Sequence, residues 1–350
     1  MRAGARRGAL ALAVASITLL AGCVTTAPPV GPTDSATPSA DSTSGAFEPL
    51  SWPSQVYQGD CAEIANGTEL SALLGRELPE PRHQLTIPVI QSGGIDCLWD
   101  AADDGFSATP GGSLTLTVLP LVAVPGAREA TSCASSPTGA GELGTCLFTM
   151  ILDEVVFSGR VNAGIGSTVD DAEASLALLT EHFTSIAGDA DVGELRPRTA
   201  DAWPATTDCV ELDERARIAE LFGAAEMTPE TNEYPTGPAL VTDELATGHG
   251  WTLCTWQSYE QTTSGLVFLA ATVYADGAWA AEELRRDGEP VTIEGADEAF
   301  VVTTPSAEGD QQLLWVTRGS NLLAVSTYWS TIDEAYPAVP VLLDALDALD

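Results

Sequence analysis

The amino-acid sequence predicts an α+β protein built from two tandem copies of one domain, each an antiparallel sheet with an opening and a closing helix. Residues around Cys61 recur in the same classes and at the same offsets around Cys209. In both copies, strand-like runs lie between two amphipathic helical patterns, an order of elements typical of α+β domains with antiparallel sheets. The internal repeat therefore predicts one domain fold used twice.

The N-terminus predicts an export signal over residues 1–22. Three arginines precede an apolar stretch over residues 9–21, which ends in small residues immediately before Cys23. Basic, apolar and small residues in this order are typical of a signal peptide. The apolar stretch is also too short for a mature transmembrane helix, which needs roughly 20 residues. A chance cysteine after an ordinary signal peptide, or twin-arginine export at Arg6-Arg7, are the alternatives.

The sequence Leu20-Ala21-Gly22-Cys23 resembles the lipobox of bacterial lipoproteins, in which the cysteine thiol is diacylated and becomes the new N-terminus. This resemblance implies lipidation of Cys23, a lipid-mediated partnership with the membrane, and a location on the outer face of the cell membrane. Residues 23–46 are rich in Pro, Ser, Thr, Ala and Gly, and we interpret them as a disordered tether.

Length and charge set the domain organisation and exclude some partners. The 350 residues carry a net charge of −36 and contain no lysine. We expect the first α+β repeat over 47–190 and the second over 200–350, with a polar, Pro-containing linker between them. Such an acidic chain repels nucleic acid and anionic lipid, so neither is predicted as a partner. The charge is typical of a solvated acidic surface, with binding of cations or of a basic partner as the alternative.

Each repeat opens with a predicted helix that begins near a cysteine and ends at a glycine. Apolar residues follow the cysteine at offsets of 9, 12 and 13, and glycine follows at offset 14. This spacing puts one apolar stripe on a helix, and the glycine suits a left-handed C-cap. The residues are Leu70, Leu73, Leu74 and Gly75 in the first repeat, and Ile218, Leu221, Phe222 and Gly223 in the second.

Each repeat closes with a second predicted helix. Thr168 with Asp171, and Thr331 with Glu334, have the spacing of a capping box. In the first repeat the apolar face is Ala172, Leu176, Leu179, Phe183 and Ile186. In the second repeat, prolines at 337 and 340 are expected to delay or bend the helix before residues 341–349.

Strands are predicted between these helices from apolar or alternating runs. The runs are 114–119, 146–152 and 155–161 in the first repeat, and 266–273, 313–317 and 322–328 in the second.

The six cysteines after Cys23 allow fifteen pairings, and the duplication selects one of them. Equivalent positions predict the pairs Cys61–Cys97 and Cys209–Cys254, which leaves Cys133–Cys146 as a third pair without a counterpart. Disulfides are expected because an exported chain lies in an oxidising compartment. A metal or redox centre is the alternative, although no two cysteines have CxxC spacing.

No catalytic motif is present, so we predict no catalytic residue, no cofactor and no metal site. The candidate imidazole bases are His83, His182 and His249, each interpreted as an ordinary surface histidine. Asp100, Asp103 and Asp104 lack the spacing of an EF-hand loop and are interpreted as a polar turn.

Four of the eight tryptophans occur at equivalent positions of the two repeats, as the pairs Trp52 with Trp203 and Trp99 with Trp256, so the members of each pair are expected to serve the same role in both repeats. Trp99 and Trp256 follow a bridged cysteine by two residues and are expected to pack on the disulfide or in the core. The unpaired tryptophans are Trp251, Trp279, Trp315 and Trp329. An aromatic-lined groove in the second repeat is one use for them.

The landmarks Cys61, Gly75 and Cys97-Leu98-Trp99, with their counterparts in the second repeat, resemble a domain of unknown function common in actinobacterial lipoproteins. Residues 295–300, Gly-Ala-Asp-Glu-Ala-Phe, resemble a turn of that group. These domains are also similar to the extracellular sensor modules of some actinobacterial serine/threonine kinases. The resemblance implies a non-enzymatic envelope module that binds a small ligand or an envelope protein. A hydrolase of envelope polymers and a purely structural surface lipoprotein are the alternatives.

Overall fold

The computed structural model describes residues 51–100, 111–138, 141–193, 195–224, 227–231, 251–258, 268–304, 310–327 and 330–349. The chain divides into two compact units, Met1–Phe47 and Glu48–Asp350, and every described residue belongs to the second unit. The predicted signal, the tether and Cys23 lie outside the described residues. Asp103, Asp104, His249 and Trp329 also lie outside them.

The first repeat contains a six-stranded antiparallel sheet with the order β1-β2-β3-β6-β5-β4. Its strands are β1 Arg82–His83, β2 Ile95–Trp99, β3 Ser113–Pro120, β4 Ala130–Thr138, β5 Gly141–Leu152 and β6 Val155–Ile165. We call it sheet 1.

The second repeat contains a seven-stranded antiparallel sheet, sheet 2, with the order β7-β8-β9-β13-β12-β11-β10. Its strands are β7 Thr228–Thr231, β8 Trp251–Gln257, β9 Phe268–Tyr274, β10 Gly288–Pro290, β11 Glu298–Thr304, β12 Gln311–Arg318 and β13 Asn321–Thr327. The order repeats that of sheet 1, with β10 added at one edge. The predicted α+β fold with two copies of one antiparallel domain is therefore confirmed.

The opening helix of each repeat is broken into two pieces, where a single helix was expected. The pieces are α1 Cys61–Ile64 and α2 Gly67–Leu74 in the first repeat, and α5 Cys209–Ala216 and α6 Ile218–Phe222 in the second. In the first repeat Asn66 starts a new helix through a capping box with Glu69. In the second, the break falls at Arg217, which has a left-handed conformation.

The predicted glycine C-caps are present in both repeats. Gly75 and Gly223 have φ values of 66° and 65°, a left-handed conformation that glycine adopts without a Cβ clash. The equivalent helix ends therefore arise from the same local chemistry.

The two closing helices are α4 Val169–Ile186 and α8 Ala338–Asp347. Thr168 and Asp171 form the predicted capping box at the start of α4. The predicted box of Thr331 with Glu334 is wrong, because residues 332–335 form a short 3-10 helix without a side-chain cap. Helix α8 begins after it with Pro337 as its N-cap residue, where proline is tolerated because the N–H groups at a helix start have no partner within the helix. A short helix, α7 Ala281–Leu284, lies between β9 and β10.

Each sheet buries one face against its own helices. Leu179 and Phe183 of α4 pack in the core on sheet 1, and the Phe183 ring stacks on Phe157 with ring centroids 4.9 Å apart. In sheet 2 the core joins α8 through Leu342 and Leu346. Each repeat therefore has a hydrophobic core of its own.

Three disulfides are present, and their pairing is the one that the duplication selects: Cys61–Cys97, Cys133–Cys146 and Cys209–Cys254. The equivalent bridges join α1 to β2 and α5 to β8. Trp99 and Trp256 are fully buried in the same cores as these bridges.

Helix α3, Ile87–Gln91, belongs to the first repeat and packs on both sheets, on the faces opposite to their cores; we call this the seam. Its Val89 packs with Leu119 of sheet 1, and its Ile87 and Ile90 pack with Trp279 and Trp315 of the second repeat. The buried amide of Gln91 donates a hydrogen bond to the Ala275 carbonyl oxygen at 2.7 Å. The aromatic groove suggested for Trp251, Trp279 and Trp315 is therefore wrong, since these side chains are 5 to 7% exposed.

Candidate binding cleft

A cleft of about 490 Å³ opens in the second repeat. Three segments surround it: the linker between the repeats, the turn between β12 and β13, and the C-terminal end of α8. Its polar and aromatic lining consists of Asp201, Trp203, Arg318, Gly319, Asn321 and Asp347. The cleft is thus made by the junction of the two repeats with the last helix.

Asn321 joins the linker to the sheet. Its Oδ1 accepts hydrogen bonds from the backbone N–H of Trp203 at 2.8 Å and of Asp276 at 3.1 Å, and its Nδ2 donates to the Asp201 carbonyl oxygen at 2.9 Å. The Asn321 residue is only 2% exposed. One buried amide therefore fixes the position of the linker against two strand ends.

Two carboxylates hold the turn that forms the floor of the cleft. Gly319 has a φ of 59°, and its backbone N–H donates to Asp297 Oδ2 at 2.7 Å. The next amide, that of Ser320, donates to Asp201 Oδ2 at 3.0 Å. Asp297 belongs to the turn of residues 295–300 singled out in the sequence, so that motif has a structural role here.

Asp201 stays ionised in mild acid. Its slight burial favours the neutral form, but hydrogen bonds from the Thr199 hydroxyl and the Ser320 backbone amide outweigh that effect, so the pKa of Asp201 is lowered. A carboxylate with a lowered pKa contributes negative charge to the cleft and is a poor proton donor.

The guanidinium of Arg318 is neutralised by its neighbours. Nη1 lies 3.1 Å from Asp344 Oδ1, and Nη2 lies 2.6 Å from Asp347 Oδ2. Asp347 also accepts a hydrogen bond from the indole Nε1 of Trp203 at 2.8 Å. Among the residues that line the cleft, two carboxylates, Asp201 and Asp347, accompany one guanidinium, Arg318, and a second guanidinium, that of Arg198, donates to the Trp203 carbonyl oxygen behind the wall. The lining itself therefore has a net negative charge, which favours a ligand that carries positive charge.

The tryptophan of the first repeat that corresponds to Trp203 has different surroundings. Trp52, the counterpart of Trp203, is 41% exposed and contacts Trp279 with ring centroids 4.8 Å apart. The expectation that paired tryptophans serve the same role in both repeats is therefore wrong for this pair.

Of the candidate histidines and calcium-ligand carboxylates, those that the structure describes are His83, His182 and Asp100, and they do not converge. His182 Nε2 lies 2.8 Å from the Ile64 carbonyl oxygen and joins α4 to α1. It lines a separate cavity of about 380 Å³ with Leu70 and Leu73. Burial lowers the pKa of His83, which lies on the edge strand β1. Asp100 is buried at the end of β2, away from the residues that line the cleft.

One buried carboxyl group, that of Asp96, was not predicted from the sequence. It lies on the seam-facing side of β2, where Thr86 Oγ1 donates to it at 2.6 Å and Thr117 Oγ1 at 3.1 Å. Burial raises the pKa of Asp96 to about 6, because desolvation disfavours the charged carboxylate. The hydrogen bonds from the two threonine hydroxyls lower the pKa but do not cancel this effect. The corresponding residue of the second repeat is Leu253, so comparison of the repeats could have revealed it.

Within the described ranges, no group of three or more His, Cys, Asp or Glu side chains is arranged to hold a metal ion. No helix in the same part of the chain is long and apolar enough to cross a membrane.

No protein-family model and no curated protein matches the chain. Among solved structures it is similar to the di-domain ARO/CYC StfQ from the steffimycin biosynthetic pathway. The identity is 10% and the TM-score 0.18, over 81% of this chain and 94% of that one. It is also similar to DynU16 from the dynemicin biosynthetic locus, with 11% identity and a TM-score of 0.14, over 79% and 87% of the two chains. Likenesses this weak carry no argument about function.

Proposed function

We propose that the protein is a lipid-anchored, non-enzymatic binding module of the cell envelope, and that its ligand is a small cationic molecule held in the Trp203–Arg318 cleft. The observation that carries the proposal is the cleft itself. It is open and polar, and its lining contains two carboxylates, Asp201 and Asp347, against one guanidinium, Arg318. The linker between the repeats forms one wall, so a bound ligand contacts the segment that joins the two domains.

The envelope location is supported by two independent features. The lipobox-like residues before Cys23 predict lipidation, and three disulfides suit an oxidising compartment outside the cytoplasm. The resemblance to actinobacterial lipoprotein domains and kinase sensor modules agrees with the same location.

Mass spectrometry of the protein purified from its native membrane tests the anchor. We expect an N-terminal peptide that begins at Cys23 and carries a diacylglyceryl group. A Cys23→Ala variant is expected to lose this modification and leave the membrane fraction. An unmodified N-terminus in the wild-type protein would contradict lipid anchoring.

A hydrolase fits the cleft less well. Glycosidic hydrolysis needs a carboxylic acid with a raised pKa beside a second carboxylate. In the cleft the pKa of Asp201 is lowered, whereas Asp96, whose pKa is raised, is not among the lining residues. The described part of the cleft therefore lacks this acid–base arrangement.

Calorimetric titration with spermidine, a small polycation, tests the cleft. Ala200 is exposed on its rim, so Ala200→Lys adds a positive charge without removing a hydrogen bond of the network. We expect this variant to bind spermidine at least about tenfold more weakly, which corresponds to about 1.4 kcal/mol.

Ala174→Lys is the matched control, because Ala174 is an exposed alanine on α4 of the first repeat. It makes the same change in net charge at a distance from the cleft, and we expect near wild-type affinity. If both variants bound spermidine equally weakly, its affinity would depend only on the overall charge of the protein. The cleft would then not be the binding site.

A further inference from the structure

Strand β4 is an open edge of sheet 1. Among the described strands it pairs with β5 alone, and most of its nine residues are exposed. From Ala130 to Gly141 the sequence contains no charged residue, although the whole chain contains 50 Asp and Glu residues. The strand itself is thus long and neutral on a strongly acidic protein, and the carboxylate of Glu142 on the neighbouring β5 accepts a hydrogen bond from the Ser135 hydroxyl at 2.6 Å.

The Cys133–Cys146 pair shows which backbone groups face the open side. The two Cα atoms are 4.1 Å apart, the short spacing of a non-hydrogen-bonded pair in an antiparallel ladder. The N–H and C=O of Cys133 therefore point away from β5. The same holds for Thr131 and Ser135, two residues to either side. No described residue makes a backbone hydrogen bond to this side of the strand.

The second repeat shows what the equivalent edge can hold. There, β11 corresponds to β4, and β10 covers it by antiparallel pairing of Gly288–Pro290 with Phe300–Val302. The covering strand comes from the chain between β9 and β11. The corresponding connection of the first repeat, residues 121–129, is much shorter and has no strand to place there. Among the described strands, the equivalent edge is thus covered by β10 in the second repeat and uncovered at β4 in the first.

The neutral surface of β4 indicates the nature of its partner. Exposed edges are usually protected by charged side chains, which β4 lacks, while the disulfide holds it firmly against β5. A site for a basic peptide would display the acidic side chains in which this chain is so rich. The other described edge strands, β1, β7 and β10, each contain a charged residue, whereas β4 contains none. The absence of charge at this edge instead removes local repulsion from a partner that is itself acidic.

We propose that the occupant of the β4 edge is the β4 edge of a second copy of this chain. An antiparallel pair centred on Cys133 places Thr131 opposite Ser135 of the partner subunit, and it forms about six backbone hydrogen bonds across a two-fold axis. Pro137, the next residue with its backbone directed outward, has no N–H and lies beyond these bonds, so it ends the ladder without interrupting it. The two sheets then form one continuous sheet.

Sedimentation of the chain from residue 24 onward, which contains every described element, tests this pairing. We expect a monomer–dimer equilibrium that shifts towards the dimer when salt is raised from about 0.05 M to about 0.5 M, because screening reduces repulsion between two acidic copies. Ser135→Pro and Thr131→Pro each remove an outward N–H and place a ring at the edge. Both variants are expected to sediment as monomers.

Ser136→Ala is the control on the same strand, since it leaves the backbone unchanged, and it is expected to dimerise as the wild type does. Circular dichroism and thermal unfolding show whether each proline variant remains folded. A wild-type chain that stays monomeric at all concentrations and salts would overturn the proposal. So would a dimer that survives in both folded proline variants, or one that salt dissociates. None of these results depends on ligand binding in the cleft.

Discussion

Replacing Cys209 and Cys254 together by alanine is expected to lower the free energy of unfolding by about 4 kcal/mol. The bridge closes a loop with a sequence separation of 45, and cross-linking a loop of that size removes about this much entropy from the unfolded chain. Both cysteines are fully buried in the core of the second repeat. Urea unfolding of the oxidised proteins measures the change.

The Cys133–Cys146 pair is the internal reference. Its separation is 13, for which the same entropy argument gives about 3 kcal/mol, and Cys133 lies on an exposed strand. We expect the free energy of unfolding to fall further without the Cys209–Cys254 bridge than without the Cys133–Cys146 bridge. The reverse order would contradict the structural role assigned to the equivalent bridges.

Asp96→Asn is expected to stabilise the protein at neutral pH by up to about 3 kcal/mol. The folded-state pKa of Asp96 is about 6, above its ordinary value of 3.8, because burial disfavours the charged form. Folding therefore favours the protonated carboxyl group, and one unit of pKa difference corresponds to about 1.4 kcal/mol. The contribution of the protonated Asp96 carboxyl group to the stability of the wild-type protein is complete below the unfolded-state pKa, and it is lost as the pH rises through the folded-state pKa.

The asparagine variant has no charge to bury, so its advantage over the wild type should grow between about pH 4 and pH 7 and then level off. Thermal and urea unfolding at a series of pH values measures the difference. The exposed Asp191→Asn variant reports the effect of removing a carboxylate from the surface. A difference between Asp96→Asn and wild type that does not vary with pH would show that Asp96 is not desolvated as described.

Features that depend on local chemistry or on the repeat itself were predictable from sequence. The glycine C-caps at Gly75 and Gly223 follow from a conformation that glycine adopts most readily. The capping box of Thr168 and Asp171 needs only neighbouring residues. The disulfide pairing follows because equivalent residues of a duplicated fold occupy equivalent places.

Features that depend on contacts distant in sequence were not predictable. Helix α3 is a five-residue segment with no clear apolar periodicity, and its burial comes from a second domain about 190 residues further along the chain. The Thr331–Glu334 spacing resembles a cap, yet the local chain prefers a 3-10 turn before the prolines. The cleft was missed because Asn321 acquires its partners only when the linker packs on the β12–β13 turn, and Arg318 acquires its partners only when α8 packs beside that turn.

The central claim is that the Trp203–Arg318 cleft is a binding site for a small cation. Backbone amide NMR of the isotope-labelled chain during titration with spermidine tests it most directly, because each residue reports separately. We predict saturable shifts concentrated at Ala202, Gly319 and Asn321 and at the C-terminal end of α8, with no comparable shifts when glutamate is added instead. Shifts spread evenly over the acidic surface, or concentrated away from the cleft, would contradict the account.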